Sequence, residues 1–406
     1  MSRALAFIFV TVLIDAIGFG IVIPVMPQLI VELSGKNLAG AAEISGWIMF
    51  LYASVQFLCG PVIGGLSDRF GRRPVLLASL VAFGCDYLVL AFAPTLGWLV
   101  MARIVAGITG ATFPTAYAYI ADISKPEERG GNFGIIGMAF GLGFIIGPAL
   151  GAVFAQFGHR VPFMLAAGLA FANALYGLFV LPESLPPERR RAFDWRRANP
   201  LGTLMQLRSQ HPRVLLMVAT VFVWTLGYQS LYAAWNYSVI ARFGWSPTQV
   251  GWSLVAVGVV GALVQGFLAR RLIPRWGART VIVAGGVSAI MAYLIYAFAT
   301  QGWLMYLGIA VAALQGLVFP AIQGMMSSEV APDAQGELQG ALSSAQSLSS
   351  IIGPPLMTGA FAWGQGPGGM PGAPFVLAAL FSAAALAIFA RGVAMGVGRR
   401  AVAAPA

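Results

Sequence analysis

The chain has 406 residues, 59% of them hydrophobic and only 9% charged, whereas a soluble globular domain carries roughly a quarter charged residues, so that class is excluded. A net charge of +10 invites comparison with nucleic-acid binders, but most of the 24 basic residues fall at the N-terminus, in alternate loops or in the C-terminal tail. Such a distribution is an orientation signal for a membrane protein with both termini in the cytoplasm, and no nucleic-acid partner is expected.

Uncharged stretches near 20 residues long recur along the chain, each able to cross a ~30 Å hydrocarbon core as a helix. They are continuously apolar rather than alternating, which argues against a β-barrel. Twelve helices are predicted, at about 4–30, 44–66, 74–93, 97–122, 130–155, 161–182, 213–240, 247–272, 278–299, 303–327, 334–362 and 373–396. The fold class is therefore an all-α membrane protein. Helix 1 contains LIDAIGFGIVIP at 13–24, with Asp15 about halfway along it. The run is too long for a signal peptide and lacks a small-residue cleavage site.

Helix 2 carries Gln56 near its middle, and the loop that follows reads GGLSDRFGRRP, 64–74. Within it, Gly64-x-x-x-Asp68-Arg69-x-Gly71-Arg72-Arg73 combines a tight-turn glycine with a basic cluster suited to an anionic leaflet. An acid among arginines can exchange salt-bridge partners or cap a helix N-terminus, and the spacing suggests a conformational latch. Asp86 on helix 3 and Arg103 on helix 4 are, with Asp15, the acids and bases deep in predicted spans. A mid-span charge costs roughly 2.5–3.5 kcal/mol on insertion scales, so such residues usually face a cavity and serve a pathway. Asp86 and Arg103 lie about eight residues either side of the turn at 94–97, roughly 12 Å deep on both arms. Equal depth leaves both a structural ion pair and a proton-coupling role open. Asp15 has no basic neighbour in sequence, and a mid-membrane acid is suited to carrying protons. On helix 5, Gly143-x-x-x-Gly147-Pro148-x-x-Gly151 offers small residues for close helix packing and a proline for a bend.

The only long polar interruption, 183–212, separates a six-helix bundle at 1–182 from a second at 213–396, with a cytoplasmic tail at 397–406. The bundles are repeats. GPAL at 147–150 returns as GPPL at 353–356, RFGRR at 69–73 as RWGAR at 275–279, FP at 113–114 as FP at 319–320, and Pro126 as Pro332, always 206 residues on. One constant offset over three hairpins indicates duplication. Pro274 stands where the repeat would place an acid like Asp68, so any latch is asymmetric. In the second half, Gln229, Tyr232 and Asn236 share one face of helix 7, and Gln265 and Gln315 lie on helices 8 and 10. They read as substrate-binding candidates, with plain interhelical hydrogen bonding as the alternative. Cys59 and Cys85 offer neither a disulfide framework nor metal-ligand spacing, and no hydrolytic triad or phosphate-cradling loop is present, so neither an enzyme nor a metal site is expected.

Six plus six helices in parallel repeats resembles the major facilitator superfamily. The segments IDAIGFGIVIPVMP (14–27), SDRFGRRPVLLASL (67–80), DYLVLAFAP (86–94), RIVAGITGAT (103–112), FGLGFIIGPALGA (140–152) and QGELQGALSS (335–344) look like its tetracycline-efflux branch. The 64–73 loop resembles the superfamily's signature loop, and the helix 5 glycines resemble the antiporter signature of drug exporters. The resemblance implies a monomer in the bacterial inner membrane, surrounded by lipid, that exchanges an amphipathic drug-like compound, tetracycline being the family's usual one, for an incoming proton. It implies no cofactor, a divalent metal entering only if carried with the substrate, and roles for Asp15, Asp86, Arg103 and Asp68 in that pathway. Members of this branch have a histidine on helix 8 and an aspartate on helix 9; here Gly261 and Ala289 align there, and neither helix has His or Asp. The alternative is a proton symporter importing a small nutrient.

Overall fold

Proline decides where the first predicted helix stops being continuous. In the computed structural model of the chain, the stretch 4–30 is two helices, α1 (Arg3–Val22) and α2 (Met26–Ser34), with a turn over 23–25. Pro24 sits in that turn and Pro27 in the first turn of α2, where a missing N–H costs nothing. The structure describes residues 3–110, 112–125, 129–191, 212–330 and 335–396. Most of the polar interruption at 183–212, and the tail at 397–406, lie outside the described residues.

The first repeat continues with α3 (Leu38–Phe70), α4 (Arg72–Phe92), α5 (Leu96–Thr109), α6 (Thr112–Ile123), α7 (Arg129–Phe154) and α8 (Val161–Val180). The second runs α9 (Pro212–Gln229), a π-helical turn (Ser230–Ala234), α10 (Trp235–Phe243), α11 (Pro247–Leu263), a second π turn (Val264–Leu268) and α12 (Ala269–Phe298). It then adds α13 (Trp303–Val311), a 3₁₀ turn (Ala312–Leu317), α14 (Val318–Ser327), α15 (Gln335–Gly364) and α16 (Ala373–Ala394).

Among the described residues, nine helical runs are long and apolar enough to cross a membrane. The difference from twelve has three physical causes. The predicted helix 97–122 is broken at Gly110, leaving two short pieces. Helices 8 and 9 run together as Pro247–Phe298, folded only at Gly277, whose φ of 75° is non-helical. Predicted helix 11 is present as α15, a 30-residue helix whose serines, glutamines and glycines lower its hydropathy.

The duplication is visible in these irregularities. Gly71 (φ 106°) and Gly277 (φ 75°), which turn the chain between helices 2 and 3 and between 8 and 9, are 206 residues apart. So are Gly110, at the end of α5, and Gly316, within the 3₁₀ turn, as are Pro24 and Ser230, the first residue of the first π turn. The last carbonyls of α4 and α12 are also equivalent, yet different arginines cap them. Arg160, before α8, donates to Ala91 (3.0 Å) and Ala93 (3.1 Å). Arg242, on α10, donates to Tyr296 (2.6 Å), Ala297 (3.1 Å) and Ala299 (2.5 Å). Both complement the negative end of a helix dipole. Arg160 also binds Glu32 at 2.8 Å beside His159, and its hydrogen bond holds the Glu32 carboxyl below the usual carboxylate range.

The chain resolves into two compact units: Met1–Ala41 with Leu51–Pro200 and Trp245–Gly258, and Ala42–Phe50 with Leu201–Gly244 and Val259–Ala406. In the first, Leu5, Phe7, Ile8 and Val12 of α1 pack with Leu76, Tyr119, Ile120 and Ile136 in a fully buried cluster. In the second, Trp235 meets Tyr296 and Phe375 edge to face, with ring centroids 5.1 and 6.1 Å away, a favoured aromatic geometry, and the Tyr296 and Phe375 rings lie tilted at 5.5 Å.

Candidate functional site

The rotation of α1 follows from the glycines of α7. A methyl group built on Gly147 would lie 2.6 Å from the Ile17 carbonyl and 2.8 Å from Gly20 Cα, and one on Gly151 would lie 2.5 Å from the Ile21 carbonyl. Gly143 faces Ala16 in the same way, and Pro148 would lie 2.7 Å from a methyl on Gly20. The predicted antiporter motif, Gly143, Gly147, Pro148 and Gly151, is thus the strip where α7 touches the backbone of α1. It claims the face Ala16, Ile17, Gly20 and Ile21. Asp15 and Gly18, three residues apart, lie on a different face. Gly18 leaves room for the Tyr87 hydroxyl of α4, 3.1 Å from where its Cβ would be.

Asp86 and Arg103 do touch. They form an ion pair in which the aspartate side chain is fully buried and the arginine side chain 16% exposed. The short turn at Ala93–Thr95 makes α4 and α5 antiparallel neighbours, which brings residues of equal depth together. Asp15, half-buried on α1, is within electrostatic reach of Tyr52 on α3 and Tyr87 on α4. Gln56 donates from Nε2 to the Tyr52 hydroxyl (3.3 Å) and to the Gly110 carbonyl (3.0 Å), occupying an acceptor freed where α5 ends. The first unit therefore gathers Asp15, Gln56, Asp86 and Arg103 around two tyrosines that the sequence did not single out.

The loop predicted at 64–73 is helical apart from Gly71, the single turn residue between α3 and α4. Around it Arg72 bonds Asp68 at 2.6 Å and Asp122 of α6 at 3.1 Å, and also donates to Ser67 at 2.5 Å. Ser67 donates to the Gly64 carbonyl at 2.8 Å. Arg73 donates to the Leu178 carbonyl at 2.6 Å, while Arg69 lies over the Phe70 ring. The cap of α4 comes from Glu183, not Asp68: its carboxylate accepts from the amides of Arg72 (2.9 Å) and Arg73 (3.3 Å), and of Ser184 and Leu185 (both 3.0 Å). Gly71 has to be glycine, since its Cβ would strike that carboxylate at a positive φ. The segment after α8 is thereby strapped to the loop, with Arg191 N–H donating to the Asp68 carbonyl at 3.2 Å. Glu183→Ala is expected to cost about 1–2 kcal/mol, the range for losing a helix cap, and to quicken proteolysis of 183–191; unfolding in detergent and limited digestion check both. Asp122 and Glu183 carry no mark in the sequence, since each is a single acid near a helix end, far along the chain from the residues it binds.

In the second unit, Gln229 donates to Ser350 at 3.1 Å and Gln315 to the Tyr293 hydroxyl at 2.9 Å. Tyr232 meets Tyr228 edge on, 5.4 Å between centroids, and Asn236 is buried. Gln265 stands apart: it is exposed, within the second π turn. Tyr293 had a signal in the sequence, since it is Tyr87 repeated 206 residues on.

The chain matches the Major Facilitator Superfamily over residues 8–236 and 220–400. It is 40% identical to the class C tetracycline resistance protein of Escherichia coli over 89% of this chain and 90% of that protein. To the class B protein of Escherichia coli it is 34% identical, over 87% of each. Its fold is shared with the human organic anion transporter MFSD10, at 23% identity and a TM-score of 0.73, covering 95% of this chain and 98% of that one. Fold and buried charges together define a two-repeat helical membrane transporter. The chain belongs to the major facilitator superfamily, in the group of the tetracycline resistance proteins.

Proposed function

We propose that the protein is a proton-coupled antiporter that exports an amphipathic drug-like compound, with tetracycline the leading candidate, across the bacterial inner membrane by alternating access. The observation that carries this reading is the buried Asp86–Arg103 ion pair, a carboxylate and a guanidinium held deep within the spans, where ionisable residues commonly serve a pathway. Asp15 or Asp86 takes a proton from outside and releases it to the cytoplasm as drug binds, and the Asp86–Arg103 pair opens and closes with that cycle. A proton moving down 100 mV releases ~2.3 kcal/mol from the potential alone. The names of the relatives support tetracycline as substrate. With no His or Asp on helices 8 and 9, drug recognition falls to neutral groups such as Gln229, Tyr232, Asn236 and Gln315, Gln265 standing apart from them, and any divalent metal travels as part of the substrate. The basic loops support cytoplasmic termini, and one chain suffices for the cycle. Asp68, Arg72 and Asp122 form the latch on the cytoplasmic side.

In everted vesicles containing the protein, tetracycline is expected to dissipate an imposed proton gradient, and Asp15→Asn is expected to abolish that exchange while the purified variant keeps its helical content. Acidification of right-side-out vesicles by an external nutrient, with no response to any drug in everted ones, would replace export by import.

A further inference from the structure

Arg103 has a second contact besides Asp86. Its guanidinium carbon lies 5.8 Å from the centroid of the Tyr52 ring on α3, inside the ~6 Å range over which an aromatic face attracts a cation. The approach is built in at Gly107, where a methyl group would stand 2.9 Å from the Tyr52 carbonyl and 3.0 Å from Val55; a larger residue would push α5 away from α3. Gln56 holds the other end of Tyr52 by its hydroxyl at 3.3 Å. The titratable and charged groups near the ring are Arg103 from α5, Asp15 from α1 and Tyr87 from α4, with Asp86 of α4 paired to the Arg103 guanidinium.

The consequence concerns what happens to Arg103 when Asp86 is neutral. Proton uptake by Asp86 removes the arginine's counter-ion and leaves a cation among apolar helices, an arrangement that strongly opposes the uptake. An aromatic face attracts a cation without holding a charge of its own. It draws the guanidinium more strongly once Asp86 is neutral and no longer competes for it, so it favours the protonated state. We propose that Tyr52 is a positioning residue for proton coupling, its ring holding the Arg103 guanidinium whenever Asp86 is protonated, so that the ion pair can open without exposing a bare charge. The inference rests on the antiporter reading and adds to it a residue with no charge and no proton to exchange. Two properties follow. The ring is essential, and the hydroxyl serves only to orient it.

The test is an infrared titration of the protonated-carboxyl band in purified protein, with Asp86→Asn identifying the Asp86 contribution. Tyr52→Leu is expected to lower the proton affinity of Asp86 about tenfold, moving half-protonation down by about one pH unit. Tyr52→Phe and Tyr52→Trp stay within about twofold of the unaltered protein. If Tyr52→Leu does not fold, phenylalanine and its mono-, di- and trifluoro derivatives at position 52 keep the shape while draining the ring face of electron density; proton affinity then falls stepwise with each fluorine. A Leu variant or a fluorinated series that titrates like the unaltered protein overturns the proposal, as does a Phe variant that behaves like Leu. Drug-driven proton release in everted vesicles is measured in parallel. A ring-dependent infrared titration with no exchange in the unaltered protein overturns the antiport reading alone, whereas normal exchange with a ring-independent titration overturns the role of Tyr52 alone.

Discussion

Arg103→Ala is expected to destabilise the protein by about 3–5 kcal/mol, because it strands a carboxylate whose side chain is fully buried. Asp86→Asn is expected to cost a similar amount by leaving the guanidinium without its ion-pair partner. Combining the two replaces a charged pair by neutral groups, and most of the lost stability returns, since a buried pair adds little over a neutral replacement. Proton-coupled export is not expected to return, because the proposed antiport cycle works through this pair. Reversible unfolding in detergent reads the first effect, and everted-vesicle assays the second. If the double variant is as unstable as the sum of the singles, the two side chains do not form one electrostatic unit.

The second large effect lies on the α1–α7 strip. Gly147→Ala is expected to cost about 1–3 kcal/mol or more, the range for overpacking, because its methyl group would sit 2.6 Å from the Ile17 carbonyl, where neither backbone can yield. Gly141→Ala, six residues earlier on the same helix, meets nothing within 4 Å and is expected to be neutral or to stabilise by up to about 1 kcal/mol. Thermal unfolding of the two variants separates them. The Gly147 variant also turns or displaces α1, so export suffers although no polar group has changed. Equal behaviour of both variants would mean that α7 does not set the position of α1.

Both expectations rest on contacts that the sequence brought close to view without fixing. The depth of Asp86 and of Arg103 followed from counting residues out from the turn at 94–97. That the two meet depended on the rotation of α4 and α5, which Gly107 and its neighbours on α3 settle by close approach. Gly143, Gly147 and Gly151 were legible as a packing strip, but not as the strip against α1, because a small residue states that something comes close and not what. Glu183 was hidden for a related reason: a carboxylate 111 residues away in sequence caps α4 only once α8 has returned the chain to the same end of the bundle.

By itself the sequence determined the number and order of the spans, the duplication and the short list of buried charges. These are one-dimensional quantities: a hydrocarbon layer imposes a minimum apolar length, and a mid-span charge stands out against that background wherever the chain goes. Tertiary structure alone decided that Arg103 meets both Asp86 and the Tyr52 ring, that Gln229 and Gln315 spend hydrogen bonds on Ser350 and Tyr293, and that the predicted helices 1 and 4 are broken. The physical reason is that a helix can turn about its own axis with little change in its apolar length. Which face it presents is set by its neighbours, through backbone approach at glycines and through hydrogen bonds between residues far apart in the chain.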